Sequence, residues 1–480
     1  FTNQQVSTLT AQATLTIAPP QPNSFSFVSA EPSVIFVRGS GGDETSRVTF
    51  QVNDEAGSPL RDITVDFSLD STAGGAQLVN SSAITNDQGL ATATVQAGNI
   101  AQPVTVRATS PSLPGETSQS RGLAVGTGIP DQNSTSLSAT VLYPVAWNFN
   151  GVESQITIRL ADAFNNPPLP DTPVSFTTSG GRIEDNCFTD ELGNCTVTWN
   201  SQSPRPSFAS DFIIDSSTTP PTIRCPGEEA CRFGRAKILA HARGNESFVD
   251  LNNNGLFDPN IDAFNTAPEG DNRCLPNRPQ PTAEVGDAGC DDLGSAYLDT
   301  NFNNVRDASN PGEEFFEEQG DGVFSFGDGK YNGVLCNSDD TTLCDTSPVK
   351  VRDDIQIIMT CETPLLINGG RLPGQPGSIA LAPGQTLSVF MTLADCNGNG
   401  MPPGTTLDLD TDGAVNLFQS SISPGGALAG SAEPSAISIT LTASVNVENP
   451  VGGSVTIEVT SPTPNGPKTT FVAPISLISN

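Results

Sequence analysis

An all-β fold of tandem sandwiches, the middle one carrying a long, loop-rich calcium-binding insert, is the architecture predicted for this chain of 480 residues. Three observations predict it. Apolar residues alternate with polar ones over short runs separated by turn residues, with 45 Gly and 39 Pro in the chain and no sustained 3.6-residue apolar period. The same order of strands and turns occurs three times. Between two segments that read as neighbouring strands, Arg235 to Arg243 and Pro348 to Thr360, lies an acidic, cysteine-bearing excursion.

The first repeat covers 20–128. Val48, Phe50 and Val52 alternate into Asp54, a Gly-x-Pro turn follows at Gly57 and Pro59, and Ile63, Val65, Phe67 and Leu69 make the next half-buried strand. The turn Thr85-Asn-Asp-Gln-Gly89 leads into Ala91, Ala93, Val95, Ala97 and Gly98, and Val104, Val106 and Ala108 follow. The second repeat, within 129–361, has Ile156, Ile158 and Leu160 running into Asp162, then Val174 and Phe176, then Thr189-Asp-Glu-Leu-Gly193 before Cys195, Val197 and Trp199. Aligning the two turns places Cys195 on Ala91 and Cys187 on Ala83, which predicts a cross-strand disulfide around one hairpin. Ala236, Ile238 and Ala240 match Val104, Val106 and Ala108. The third repeat, 362–480, is the most diverged: Val389, Met391 and Leu393 lead into Asp395, with Leu407, Leu409, Ile437, Ile439 and Leu441 after it. Trp147 and Trp199 read as core residues.

The run from Val48 through Asp54, Gly57, Pro59, Val65, Phe67, Gly75, Ala76, Leu78, Thr85, Asp87, Gly89, Ala91, Ala93, Val95, Ala97 and Gly98 resembles the bacterial immunoglobulin-like repeat of invasin- and intimin-type surface proteins. The resemblance implies immunoglobulin-like sandwiches, a bacterial surface location and an adhesive or spacer role. It carries over no receptor-binding residue, because those families place receptor contacts in a lectin-like tip, and the disulfide-rich insert departs from their pattern.

Residues 244–347 hold twenty-one Asp and Glu against four Lys and Arg, so without cations the segment repels itself. Oxygen side chains alternating around a turn glycine wrap a hard cation, and three runs have that form. The first offers Asp250, Asn252, Asn254, the Leu256 carbonyl and Asp258; Ile261 occupies the position of the usual bidentate acid, so Asp262 must swing in. The second offers Asp299, Asn301, Asn303, the Val305 carbonyl and Asp307, completed by Glu313 or Glu314. The third is degenerate, with Glu317, Gln319, Asp321, the Val323 carbonyl, Ser325 and Asp328. With no flanking helical period, these loops resemble those of thrombospondin type 3 repeats and dockerins, which implies structural Ca2+. Phe315, Phe316, Phe324, Phe326 and Tyr331 are expected to form one apolar floor beneath them.

The ten cysteines fall into sequential pairs, Cys187 with Cys195, Cys225 with Cys231, Cys274 with Cys290, Cys336 with Cys344 and Cys361 with Cys396. None forms C-x-x-C and a single histidine cannot complete a zinc site, so disulfides and an oxidising, extracellular compartment are expected. A net charge of −32 and a pI near 4.1 disfavour nucleic acid and anionic membrane as partners. No stretch approaches the roughly 20 apolar residues of a membrane span, and the opening Phe-Thr-Asn-Gln-Gln, without a signal region, reads as a mature chain or a piece of one.

Catalytic patterns are missing: no G-x-S-x-G, no phosphate-binding glycine loop and no histidine cluster occur. His241 is expected on the solvated face of its strand. Acid pairs such as Asp291 with Asp292 carry little information in so acidic a segment. Residues 1–19 form a surplus strand in which Val6, Leu9, Ala11, Ala13, Leu15 and Ile17 largely alternate with polar residues up to Pro19 and Pro20; it is either the last strand of an upstream domain or a donor to a neighbouring copy in a head-to-tail assembly. The reading is a non-enzymatic bacterial surface protein, a stalk, adhesin segment or filament subunit that partners itself or other cell-surface proteins. The alternatives are a glycan- or protein-binding module built on 244–347 and, last, a polysaccharide-active enzyme.

Overall fold

A computed structural model describes residues 20–72, 74–207, 213–215, 217–224, 233–266, 291–302, 306–308, 313–317, 320–368, 379–412, 415–420, 427–443, 453–462 and 468–477. The surplus strand expected over 1–19 lies outside them. By compactness the chain divides into two units, Phe1–Gly128 and Ile129–Asn480.

The first unit contains β1 (Pro22–Glu31), β2 (Val34–Phe36), β3 (Thr45–Asp54), β4 (Thr64–Leu69), β5 (Gln77–Leu78), β6 (Ser82–Ile84), β7 (Leu90–Gln96), β8 (Gln102–Val104), β9 (Val106–Thr109), β10 (Ser118–Gln119) and β11 (Leu123–Gly126). One sheet has the order β1-β3-β7-β5; the facing layer is β10-β9-β4-β6, extended by β2-β11-β8. The alternation read from sequence sets which residues meet between them: Val48, Phe50, Val52, Val65, Ala91, Ala93, Val95, Val106 and Ala108 are all buried in one cluster.

Two backbone devices explain why the repeat is visible in sequence. Asp54 ends β3 and turns the chain by accepting the N–H groups of Ala56 and Ser58 on one carboxylate oxygen, at 2.9 and 2.8 Å. Asp162 does the same for Phe164 and Asn166, and Asp395 for Asn397 and Asn399. Only a short acidic or amide side chain reaches its own i+2 and i+4 amides. The second device is a glycine. Gly89 has φ +69°, and a Cβ there would stand 2.7 Å from the Val52 carbonyl oxygen; at Gly193, φ +77°, it would stand 2.3 Å from that of Leu160.

The second unit opens with a 3-10 turn, Gln132–Ser134, and contains β12 (Thr135–Ala139), β13 (Glu153–Leu160), β14 (Pro173–Thr178), β15 (Arg182–Ile183), β16 (Asn186–Phe188), β17 (Asn194–Asn200), the small hairpin of β18 (Ile213–Asp215) with β19 (Thr222–Arg224), β20 (Arg235–Gly244), β21 (Ala296–Tyr297), β22 (Phe315–Phe316), β23 (Tyr331–Asn332), β24 (Cys344–Asp345) and β25 (Val349–Ile358). The orders β12-β13-β17-β15 and β16-β14-β20-β25 repeat those of the first sandwich. Trp199 is fully buried, its indole N–H donating to the Gly180 carbonyl at 2.8 Å; Trp147 packs half-buried against the same core. A third pair of sheets follows from β26 (Pro364–Asn368), β27 (Ile379–Leu381), β28 (Thr386–Asp395), β29 (Thr406–Asp412), β30 (Val415–Ser420), β31 (Ser435–Ala443), β32 (Gly453–Thr460) and β33 (Lys468–Leu477), in the orders β26-β28-β31-β30 and β27-β33-β32-β29. All three are immunoglobulin-like sandwiches, and the described residues contain no α-helix.

The Cys187–Cys195 disulfide forms, with Cα atoms 6.0 Å apart, but it does not cross a hairpin. Cys187 pairs with Val174 on β14 and Cys195 with Ile158 on β13, so the two cysteines belong to opposite sheets and the bond ties the layers together. The sequence suggested one hairpin because β16 and β17 are consecutive; the chain instead changes sheets at the turn between them.

Candidate functional site

The insert leaves the sandwich between its last two strands, and these pair antiparallel over all ten residues of β20, from Arg235 opposite Ile358 to Gly244 opposite Val349. Its root is held by a polar network. The Asn245 N–H donates to the Pro130 carbonyl at 2.7 Å, and the Val334 N–H to Asn245 Oδ1 at 3.0 Å. Ser247 Oγ donates to Asp131 Oδ1 at 2.6 Å. Glu246, fully buried, accepts the N–H groups of Leu293 and Asn332 on its two oxygens, both at 2.6 Å, and so joins two insert segments far apart in sequence. Burial pushes the Glu246 carboxyl well above the usual range and that of Asp131 up to about 7. Arg352, 1% exposed on β25, donates to the Gly294 carbonyl at 2.7 Å. Gln132 makes two hydrogen bonds to the Arg352 backbone. Sequence reasoning passed over these residues; the polar run Asn245-Glu246-Ser247 following a strand directly is the signal that was there.

From this root the insert folds back over the outer face of β20. Leu239 is buried with Ala296 and Leu298, and Phe316 packs on them. His241, expected on a solvated face, is 6% exposed, with its ring 4.8 Å from that of Phe316. Burial, together with the charges of Lys350 and Arg352, lowers its pKa to about 4. Lys237 pairs with Asp354 at 2.6 Å and lies over the Phe302 ring. Both faces of β20 are therefore covered. The outward Leu239, out of step with a polar face, is the trace of this in the sequence.

The expected single apolar floor is divided: Phe316 packs on Leu239 as described, and the other aromatics fall into two clusters. Phe248, Phe257, Phe264 and Tyr331 pack around one another with Leu335 and Cys344, closed by the Cys336–Cys344 disulfide. Phe315, Phe324, Phe326 and Tyr297 form the other, with the Arg306 guanidinium 4.5 Å over the Phe315 ring. Tyr331 belongs to the first because β23 pairs with β24, away from β22.

The first candidate loop brings its side chains together. Asp250 accepts the N–H groups of Asn253, Asn254 and Gly255 at 2.6, 3.3 and 2.8 Å. The amides of Asn252 and Asn254 converge on Asp258 Oδ2 at 2.7 and 2.5 Å, and the Leu256 N–H donates to Asn254 Oδ1. Ile261 points outward, 55% exposed; Asp262 turns in and accepts the N–H groups of Leu251 and Asp258 at 2.9 and 2.7 Å. Asn337, from a segment the sequence did not connect to this loop, donates to Asp258 Oδ1 at 2.6 Å. Hydrogen bonds from Asn252 and Asn337 hold the Asp258 carboxyl below its usual range.

In the second loop Asn301 bonds to Asp307 and Asp299 is buried, while Asn303 and Val305 lie outside the described residues. Glu313, not Glu314, closes it. Its Oε1 accepts from the Thr300 N–H at 2.6 Å and its Oε2 from the Asp307 N–H at 3.0 Å. Glu314 is exposed because its backbone carbonyl pairs with the Leu298 N–H beside the β21–β22 ladder. In the third loop Glu317 accepts from the Asp321 and Gly322 N–H groups, and the Val323 side chain is exposed. Gln319 lies outside the described residues. Asp328 does not join this loop; it accepts from Lys330 N and the Asn332 amide, drawn off by the Lys330 cation 3.6 Å away.

Oxygen donors dominate all three runs, the chemistry Ca2+ requires. A half-turn of the Asn252 and Asn254 amides would put carbonyl oxygens where their nitrogens now meet Asp258. Among the described residues, no three acidic, cysteine or histidine side chains form a metal-sized group.

Where the second and third sandwiches meet, Arg235 reaches across from β20. It donates to Asn399 Oδ1 at 2.7 Å and to the Ala432 carbonyl at 3.0 Å, and pairs with Glu433. The Cys361–Cys396 disulfide closes the same junction, and the Cys361 N–H donates to Asp395. Cys225, Cys231, Cys274 and Cys290 lie outside the described residues.

No family model and no curated protein sequence matches this chain. Among solved structures it is similar to the D0-D1 domain of intimin, at 20% identity over 46% of this chain and 91% of that one, TM-score 0.20. It is also similar to invasin, a bacterial integrin-binding protein, at 12% identity over 95% of this chain and 60% of that one, TM-score 0.26. A third is the Escherichia coli adhesin FdeC, at 11% identity over 97% of this chain and all of that one, TM-score 0.27. These scores are low, and the fold assignment rests on the strand order and register described above.

Proposed function

We propose that the chain is a non-enzymatic, extracellular bacterial surface protein in which serial immunoglobulin-like sandwiches serve as an adhesive stalk or filament subunit. The observation that carries this reading is the continuity of the second and third sandwiches. A disulfide, a buried arginine and a shared Asp395 turn join them, an investment in stiffness that suits a load-bearing element. Three disulfides among the described residues favour an oxidising compartment, and no helix there is long and apolar enough to cross a membrane. The single histidine is buried, with a lowered pKa, which makes it a poor general base.

Calcium is proposed to order the insert. Asp250, Asn252, Asn254, Asp258 and Asp262 would hold one ion, and Asp299, Asn301, Asp307 and Glu313 would contribute to another. Residues 1–19 are proposed to link copies head to tail. The second reading, a glycan- or protein-binding surface on the insert, is favoured by Val323 and Phe326, which stand 58% and 68% exposed on it.

Negative-stain micrographs and sedimentation of the full chain, with calcium and with chelator, test the assembly. Polymers are expected. Monodisperse particles in both conditions, together with release of sugars from polysaccharide, would overturn the reading in favour of an enzyme.

A further inference from the structure

On one side the first sandwich ends in two open edges. β1 is terminal in its sheet and β10 in the facing one, and among the described residues neither has a second neighbour. Between them runs an open cleft of about 680 Å³, lined by Phe25, Ser26, Phe27, Ser118, Gln119 and Arg121. Phe25 and Phe27 pack only partly against the core, unlike the buried Phe50 and Phe67, and Val28 beside them is 49% exposed. β10 has two residues and β1 ten, so the short edge leaves most of the long one uncovered. A long strand with unpaired backbone groups is a template for another.

We infer that this cleft receives residues 9–17 of a second copy of the chain as an added strand. The inference rests on the head-to-tail reading above and names its acceptor. Leu9-Thr-Ala-Gln-Ala-Thr-Leu-Thr-Ile17 alternates apolar with polar residues at the period of a strand, and its nine residues match the ten of β1. Residues 1–19 contain no charged residue, in a chain of net charge −32. This is therefore a segment that approaches another copy with little mutual repulsion. Folding back into the chain's own cleft would need a tight turn within Pro19-Pro20-Gln21-Pro22. Proline fixes φ near −65° and biases the residue before it toward extended backbone, which disfavours such a turn and favours a second copy as the acceptor.

The test is a photoreactive benzophenone side chain at position 15 of the full chain, mixed as light and isotopically heavy protein and mapped by mass spectrometry. Position 14, on the opposite face of the strand, serves if the group at 15 blocks assembly. Mixed-isotope crosslinks from the probe to residues 25–28 or 117–121 are expected. Leu15→Asp, which places a charge in the seat, should weaken assembly about tenfold or more and leave the unfolding transition of the first sandwich in place. Polymers whose crosslinks fall elsewhere would overturn this acceptor and leave the head-to-tail reading standing. Crosslinks confined to one chain would overturn exchange between copies, and a full-length chain that stays monomeric would overturn both.

Discussion

His241 reports on the whole insert from one position. It is the only histidine in the chain, and its pKa is about 4 because the insert shuts it away from water and Lys350 and Arg352 stand near. The folded state therefore binds this proton less readily than the unfolded one, whose value is near 6.5. The stability it contributes is present above pH 6.5 and is lost as pH falls toward 4, by up to about 3 kcal/mol. Asp131 and Asp395 act in the opposite sense. Burial raises them to about 7 and about 6, so their contributions are complete below their unfolded values near 3.8 and are lost as pH rises through the folded ones. The His241 ring resonance separates one effect from the others: it should keep the neutral imidazole shift down to pH 5 and titrate near 4. A midpoint near 6.5 would mean that water reaches the outer face of β20 and that the insert does not cover it.

Among the elements, the Asp54, Asp162 and Asp395 turns and the Gly89 and Gly193 approaches were legible because each works within a few residues or at one fixed contact, so the same letters recur in each repeat. The sheet to which a strand belongs was not legible. Cys187 and Cys195 are eight residues apart, and nothing so local says that the chain changes layers between them. The anchors of the insert failed for a related reason: Gln132 meets Arg352 and Ser247 meets Asp131 across 220 and 116 residues, and no periodicity records such meetings. The choice between Glu313 and Glu314 stayed open in the sequence, because strand alternation decides which of two neighbours turns inward, and here it is Glu313. The first sandwich supplies a control for the disulfide, since Ala83 and Ala91 occupy the aligned positions. Cys187→Ala with Cys195→Ala should thus keep the fold and cost about 2.5 kcal/mol in the chain-entropy account, measured by denaturant unfolding with unchanged m-value. A loss above roughly 5 kcal/mol would exceed what disulfides typically contribute and point to a packing role for the sulfurs. Peptide mapping of unreduced protein should also return Cys225 with Cys231 and Cys274 with Cys290; a link from either pair to Cys361 would contradict the junction.

At the scale of the molecule, the second sandwich carries both the junction to the third and the root of the insert, and β20 serves both. Arg235 at its start crosses to Asn399 and Ala432, and Gly244 at its end hands the chain to Asn245 and Glu246. Arg235→Met removes hydrogen bonds from a charged donor, each worth about 1.5–3 kcal/mol, while the Glu433 it leaves behind is 72% exposed and needs no partner. Calorimetry of this variant should resolve a third-sandwich transition that the native chain merges with the second; a single unchanged transition would show that the Cys361–Cys396 link alone couples them. The calcium proposed for the insert would act at the other end of the strand. The loops around Asp250 and Asp299 carry carboxylates that accept from backbone N–H groups and amides, whereas the first sandwich is closed by an apolar core. Chelation should therefore raise hydrogen exchange across the described parts of 244–347 and spare 20–128. Because the insert covers Leu239 and His241, exchange at the backbone of β20 should rise with it, and the His241 resonance should move toward an ordinary pKa in the same titration. Protection of the insert that is equal with and without chelator would reject calcium as its organiser and leave the Glu246 network and the two aromatic clusters as sufficient.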